Sequence, residues 1–258
     1  MAKRYNKKMY IVIGVIIGLI SLVAVIDFLW LKFYGDPVEA PTIQREMQFG
    51  DTGEQLSYVM MGDSTSIAQG GDYSKGIAVE TAQFLAKNNK QVSLYNTGVS
   101  GARSKDIEQN QLQDALDAKP DLVMIVVGSN DATHLTSNSE VKESIQATID
   151  ALIQQNCNVK IILTGSAGMG VVPRLPQPVR FIVGLKVNSL NNTFQEIVQD
   201  NSLTFAPIAK ETSPIFKRDR SLFAKDNFHP NTEGYQVWIP TLTNAINASL
   251  ESQPSHCS

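Results

Sequence analysis

"DLVMIVVGSND", residues 121–131, decides the architecture. From Leu122 to Val127 no polar side chain interrupts the run. A strand with one wet face alternates apolar and polar residues, and this one does not. It therefore reads as a strand covered on both faces, as in a sheet with helices on each side. The flanking segments repeat the pattern. "LSYVMM" (56–61), "QVSLYN" (91–96), "NVKIILTG" (158–165) and a short stretch at 202–206 read as further strands. Between them, 73–89, 104–118 and 139–156 carry apolar residues at helical spacing, the last opening on Ser139-x-x-Lys142. Helices at 185–199 and 231–251 complete the series. Strands and amphipathic helices in alternation imply βαβ units and a parallel sheet. Residues 45–59 are expected to open the domain as a hairpin about Gly50–Gly53, and 166–184 to be irregular.

The N-terminus is of another kind. Lys3, Arg4, Lys7 and Lys8 precede an uncharged run from Met9 to Ile26. About 20 apolar residues suffice to cross a bilayer as a helix, and basic residues on the short side keep that side cytoplasmic. Tyr10, Trp30, Phe33 and Tyr34 suit the two interfaces. A cleaved signal peptide is the rival reading, but its apolar core is usually shorter and ends at a small-residue cleavage site. The expected organisation is a cytoplasmic N-terminus (1–8), a transmembrane anchor (9–31), a linker (32–44), one domain (45–252) and a tail (253–258). The domain then lies outside the cytoplasm, membrane-bound, or secreted if the anchor is cut. Residues 33–258 hold 17 basic and 24 acidic side chains. That balance excludes nucleic acid as the main partner, since phosphate binding needs a basic face. The two cysteines, Cys157 and Cys257, form no disulfide framework. Cys157 reads as a small core residue, with a bridge between the two left open.

In open α/β sheets ligands bind beyond the carboxyl ends of the strands. There the sequence places Gly62-Asp63-Ser64, then "NTGVSG" (96–101), then "GSND" (128–131), and, before the last helix, "DNFHP" (226–230). These residue types suit acyl transfer. A serine hydroxyl needs a base, and the imidazole of His229 can accept its proton. Asp226 can orient the imidazole and stabilise its cation. The oxyanion needs prearranged donors, for which the Ser64 N–H, the Gly98 N–H and the Asn130 amide are the candidates.

The four segments resemble the four blocks of the SGNH, or GDSL, hydrolases, which carry Ser, Gly, Asn and His in that order. The resemblance spans about residues 56–250. It implies Ser64 as nucleophile, His229 as base, Asp226 as orienting acid, and Gly98 and Asn130 in the oxyanion hole. It also implies a flavodoxin-like three-layer α/β/α sandwich, the SGNH hydrolase fold, without metal or cofactor, acting on esters, thioesters and O-acetyl groups. The first block reads "GDSTS", without the leucine that names the GDSL group.

Rival readings are few. "DATH" (131–134) has the same Asp-x-x-His spacing as "DNFH", so spacing alone does not choose between His134 and His229. Three scattered histidines and no Cys-x-x-Cys give no metal site. Asp63 and Asp131 read as braces for backbone amides. "NNT" (191–193) and "NAS" (247–249) fit the glycosylation pattern. The expectation is a monomeric, membrane-anchored extracytoplasmic serine esterase. Its substrates are small acyl esters, O-acetyl groups on glycans, or lipid esters. A non-catalytic glycan- or protein-binding domain and an acyltransferase are the alternatives.

Overall fold

The computed structural model describes residues 2–252, 256 and 257. The chain begins with a long helix, α1 (Ala2–Phe33), followed by strand β1 (Glu46–Phe49) and β2 (Glu54–Gly62). Then come α2 (Ile77–Lys87), β3 (Lys90–Asn96), α3 (Ser104–Asn110), α4 (Leu112–Asp117) and β4 (Leu122–Val126). Next are α5 (Ser129–Thr133), α6 (Asn138–Gln155), β5 (Lys160–Thr164) and α7 (Val179–Asp200). The series closes with β6 (Thr204–Ala206), α8 (Ile208–Arg218) and α9 (Thr232–Glu251).

The strands form a six-stranded sheet in the order β1-β3-β2-β4-β5-β6. All pairings are parallel except that of β1 with β3. All five residues of β4 are buried, as the unbroken apolar run demands. α2 packs on α9 to one side, while α3 and α7 both pack on α6, giving helical layers over the sheet. The five parallel strands follow the flavodoxin-like order, whose switch point lies between the first and third of them. Here those are β2 and β4. Their register sets Gly62 against Val126, so the chain leaves both strands side by side, toward Ser64 and toward Asn130.

Several expectations need correction. β1 and β2 do not pair as a hairpin, because β3 lies between them and takes β1 on its outer edge. The helix expected over 104–118 is broken at Gln111, whose side chain turns inward to bond both backbone groups of Gly62. α6 is capped by Ser137, not Ser139: the Ser137 hydroxyl accepts from the Glu140 N–H. α7 starts at Val179, ahead of the expected 185, with Val183, Val187, Leu190 and Phe194 on its buried face. α8 lies between the strand read at 202–206 and the last helix, in a stretch to which the sequence analysis assigns no helix. Pro207 and Pro214 mask it, yet Pro207 stands at the N-cap, where no amide is needed, and Pro214 leaves one helical bond unmade. The two Asn-x-Ser/Thr sites also lie in helices, with Asn191 accepting from the Ser166 N–H.

Within α1, Lys8–Asp27 is long and apolar enough to cross a membrane, and none of it is buried in the protein. The side chains of Lys3, Arg4, Lys7 and Phe33, and most of the expected tail, lie outside the described residues. The chain just after α1 is held against the domain. Arg174 Nη1 donates to the carbonyls of Tyr34 (3.1 Å) and Gly35 (3.4 Å), and the Asp36 N–H to that of Lys225 (3.0 Å).

Cys157 is only half-buried and is disulfide-bonded to Cys257, across 100 residues of chain. A cross-link of that span removes loop entropy from the unfolded chain. Cys257→Ser is expected to lower the unfolding free energy by about 2–4 kcal/mol. Denaturant titration without reductant measures it, and a loss below about 0.5 kcal/mol would show that the bridge constrains little.

Candidate active site

The turn after β2 is built by Asp63. Its Oδ1 accepts from the Thr65 N–H (2.9 Å) and hydroxyl (2.7 Å), while its carbonyl accepts from the Ser66 N–H (3.1 Å). A helical turn follows, with the Gln69 N–H on the Ser64 carbonyl (2.9 Å). The Ser64 N–H stands at the start of that turn and makes no hydrogen bond among the described residues. Burial pushes the Asp63 carboxyl pKa up, and the two bonds from Thr65 only partly offset this.

The loop before α9 is built by Asp226. Oδ1 accepts from the backbone N–H of Phe228 (2.9 Å) and of His229 (3.1 Å), and Oδ2 lies 2.6 Å from His229 Nδ1. His229 Nε2 lies 2.9 Å from Ser64 Oγ. Residues 165 apart in sequence thus meet in one hydrogen-bonded chain from carboxylate to imidazole to hydroxyl. Burial works against the Asp226 anion, but the bonds from His229 and the two amides outweigh it and hold the carboxyl below its usual range. Arg174 braces the loop from behind. Its Nη1 donates to the Asp226 carbonyl (3.2 Å) and its N–H to the Asn227 carbonyl (3.0 Å). Tyr235, buried beneath, donates to the Gln69 carbonyl (2.7 Å). Burial first, then the charges of Asp63 and Asp226, push its pKa well up and keep it neutral.

Asn130 follows β4 and donates from Nδ2 to the Ala102 carbonyl (3.0 Å). A carboxamide has two such protons, so one stays unused. Gly98 does not supply the donor expected of it. Its N–H is taken by Asn96 Oδ1 (2.9 Å), and a Cβ there would collide with the Ser66 hydroxyl. The residue is a glycine because the loop packs tightly on the turn that carries Ser64. Gly101, in the same loop, has a free N–H among the described residues and a positive φ of 82° that favours glycine. Sequence reading passed over it because "NTGVSG" offers two glycines and only packing tells them apart.

His134 stands apart from this chain. It is exposed, with Nδ1 on the Asn130 carbonyl (2.8 Å). Asp131 ignores it and accepts instead from the Ser104 N–H (3.1 Å) and hydroxyl (3.1 Å). In the short α5 the Asp-x-x-His spacing turns the two side chains apart. Around Asp226 a loop folds them together.

Beside Ser64 and His229 lies a small cavity of about 40 Å³. Its wall is mainly apolar, with Met169, Val172, Phe216, Phe228 and Trp238 among the lining residues. Trp238 Nε1 is buried without a hydrogen-bond partner among the described residues.

Residues 60–237 match the model of the GDSL-like lipase/acylhydrolase family. The chain belongs to this family. Membership makes this GDSL-like protein an ester hydrolase, and it agrees with the blocks read from the sequence. Among curated proteins, none matches significantly. Solved structures share the fold at low identity. TesA is 18% identical with a TM-score of 0.62, covering 74% of this chain and 98% of its own. The lipase/acylhydrolase from Enterococcus faecalis is 20% identical with a TM-score of 0.59, covering 78% and 98%. The acetyl xylan esterase AlAXEase is 19% identical with a TM-score of 0.59, covering 74% and 100%.

Proposed function

We infer that the protein is a serine esterase acting on small acyl esters outside the cytoplasm, held to the membrane by α1. One observation carries the reading: the unbroken chain Asp226–His229–Ser64, at 2.6 and 2.9 Å. With its Nδ1 proton donated to Asp226, His229 has Nε2 free to accept the Ser64 proton as Oγ attacks the carbonyl carbon. The imidazolium then gives that proton to the leaving alcohol. Water, deprotonated by the same imidazole, attacks the acyl-enzyme and releases the acid. The developing oxyanion meets the Ser64 N–H, the second Asn130 Nδ2 proton and the Gly101 N–H, the last replacing Gly98. Asn130→Ala is expected to lower kcat about 10²–10³-fold with KM little changed. A loss under about fivefold in steady-state assays removes Asn130 from the oxyanion site.

Pocket size supports a short acyl group. Space for a few water molecules matches acetyl or propionyl. The structural likeness to an acetyl xylan esterase points the same way, for the fold alone. The Cys157–Cys257 bridge suits an oxidising compartment, as does a basic stretch before an apolar helix that predicts the domain on the far side of the membrane. The test is fluorophosphonate labelling of the full-length protein, followed by 4-nitrophenyl esters from acetyl to octanoyl. Labelling lost in Ser64→Ala supports the nucleophile, and a well-folded protein that takes no label refutes it. Acetyl is expected to exceed octanoyl by more than about tenfold in kcat/KM, as a misfit of several methylenes implies. The reverse order removes the small-acyl reading. A product shifted to transfer by added alcohol would make the same residues those of an acyltransferase.

A further inference from the structure

A groove opens directly off the catalytic pocket. It runs between α7 and α8, has a volume of about 1110 Å³, and shares Gly168, Val171 and Ser213 with the pocket beside Ser64. Its charged lining is of one sign: Arg180, Lys210, Lys217 and Arg218, with no carboxylate among the described residues. The surrounding domain is acidic, so this is not an average patch. Among the described residues Lys210, Lys217 and Arg218 form no ion pair. Arg180 donates to the carbonyls of Leu175 (2.7 Å) and Pro173 (3.0 Å), neutral acceptors that leave its charge uncompensated. Glu211, on α8, is outside the lining and accepts from the Thr241 hydroxyl (2.5 Å).

Cations crowded in a concavity repel one another and focus a positive potential outward. A polyanion seated there relieves the repulsion and releases counterions. The remaining lining argues for hydroxyls as well. Asn188, Asn192 and Gln195, spaced along one wall of α7, present exposed carboxamides, and Phe181 is 62% exposed at the entrance. Carboxamides bond hydroxyls in either direction, and an aromatic face packs on a sugar ring. A bilayer would meet the cations equally well but has no use for carboxamides set along a groove wall.

We propose that this groove holds the alcohol side of the ester, and that this alcohol is an acylated glycan bearing carboxylates or phosphates. The assignment of the alcohol rests on the esterase reading of Ser64; the binding itself does not.

The test uses full-length Ser64→Ala protein in an uncharged detergent, with polygalacturonate as polyanion and dextran as neutral comparator. Polygalacturonate is expected to bind at least about tenfold more tightly at low salt, and the difference to collapse near 0.5 M NaCl as screening shortens. Reversing the groove (Lys217→Glu with Arg218→Glu) is expected to weaken polygalacturonate at least about tenfold. Reversing two exposed lysines elsewhere (Lys87→Glu with Lys105→Glu) changes it less than about twofold. The milder Lys217→Gln with Arg218→Gln separates lost charge from lost folding. With Ser64 restored, the reversed groove raises KM for acetylated polygalacturonate about tenfold while kcat moves less than about twofold, the pattern of lost uniform binding. Equal affinity for the two polymers overturns the proposal, as does equal damage from the control reversal. Weakened binding only to phosphatidylglycerol vesicles would make the groove a membrane-facing surface instead. If the wild type hydrolyses no ester, the esterase reading falls while the binding arm still decides the groove.

Discussion

His229→Ala is expected to lower kcat on 4-nitrophenyl acetate by about 10⁴–10⁶-fold, and His134→Ala by less than about tenfold. The two histidines have the same local sequence spacing to an aspartate, so the contrast isolates geometry. His229 presents Nε2 to Ser64 Oγ at 2.9 Å and is backed by Asp226 at 2.6 Å. His134 has a carbonyl partner, no carboxylate partner among the described residues, and an exposed ring. Without a base the serine remains protonated and attacks as a weak alcohol. Ser64→Ala should match His229→Ala, and the double variant should be no worse than either, because the residues act as one unit. What survives is the contribution of binding and the oxyanion donors. His134→Ala removes contacts to the Asn130 carbonyl and the Thr133 hydroxyl, so the expected effect is a small one through the position of Asn130. Comparable losses at the two histidines, or a larger loss at His134, would remove His229 from the role of base. Circular dichroism on each variant separates this from unfolding.

Much of this layout was legible in the chain because its signals are local. An unbroken apolar run such as Leu122–Val127 has few ways to bury itself, and strands like it imply the sheet. The four blocks of the candidate site were legible as residue types standing where such strands end. What could not be read depends on contacts between distant segments. The 104–118 stretch carries a helical stripe throughout, and nothing in it says that Gln111 will turn in to hold Gly62. Residues 45–59 look like a hairpin because sequence gives neighbours in the chain, not the order in the sheet, where β3 intervenes. α8 was hidden because two prolines outweigh its apolar positions in any local count. Gly98 and Gly101 are equivalent as letters. One is buried against Ser66 with its amide spent and the other is exposed with its amide free among the described residues. Arg174 ties the Asp226 loop to the chain after α1 by donating to backbone carbonyls, which every residue carries, so those contacts leave no mark in the sequence.

Asp226→Asn should cost about 10⁴-fold in kcat, although the two side chains have nearly the same shape. The loop fixes the reason. Oδ1 already accepts two backbone N–H groups, from Phe228 and His229. In the variant the amide oxygen keeps that place, since an NH₂ there would face two donors. The NH₂ is then left facing His229 Nδ1, which must become an acceptor. The imidazole proton moves to Nε2, toward Ser64, and the ring can no longer take the hydroxyl proton. The same variant carries a pH signature. The Asp226 carboxyl is held below its ordinary 3.8, so its anion stabilises the fold. That stability is fully present above the unfolded-state value and is lost as pH falls through the lower folded-state value. The wild type should therefore be more stable than Asp226→Asn at neutral pH, with the gap closing as the pH drops below 3.8. Denaturant melts across pH read the gap, and stopped assays read kcat. A variant that keeps a tenth of the activity, or a stability gap that widens in acid, would mean that Asp226 does not hold the imidazole as a charged partner.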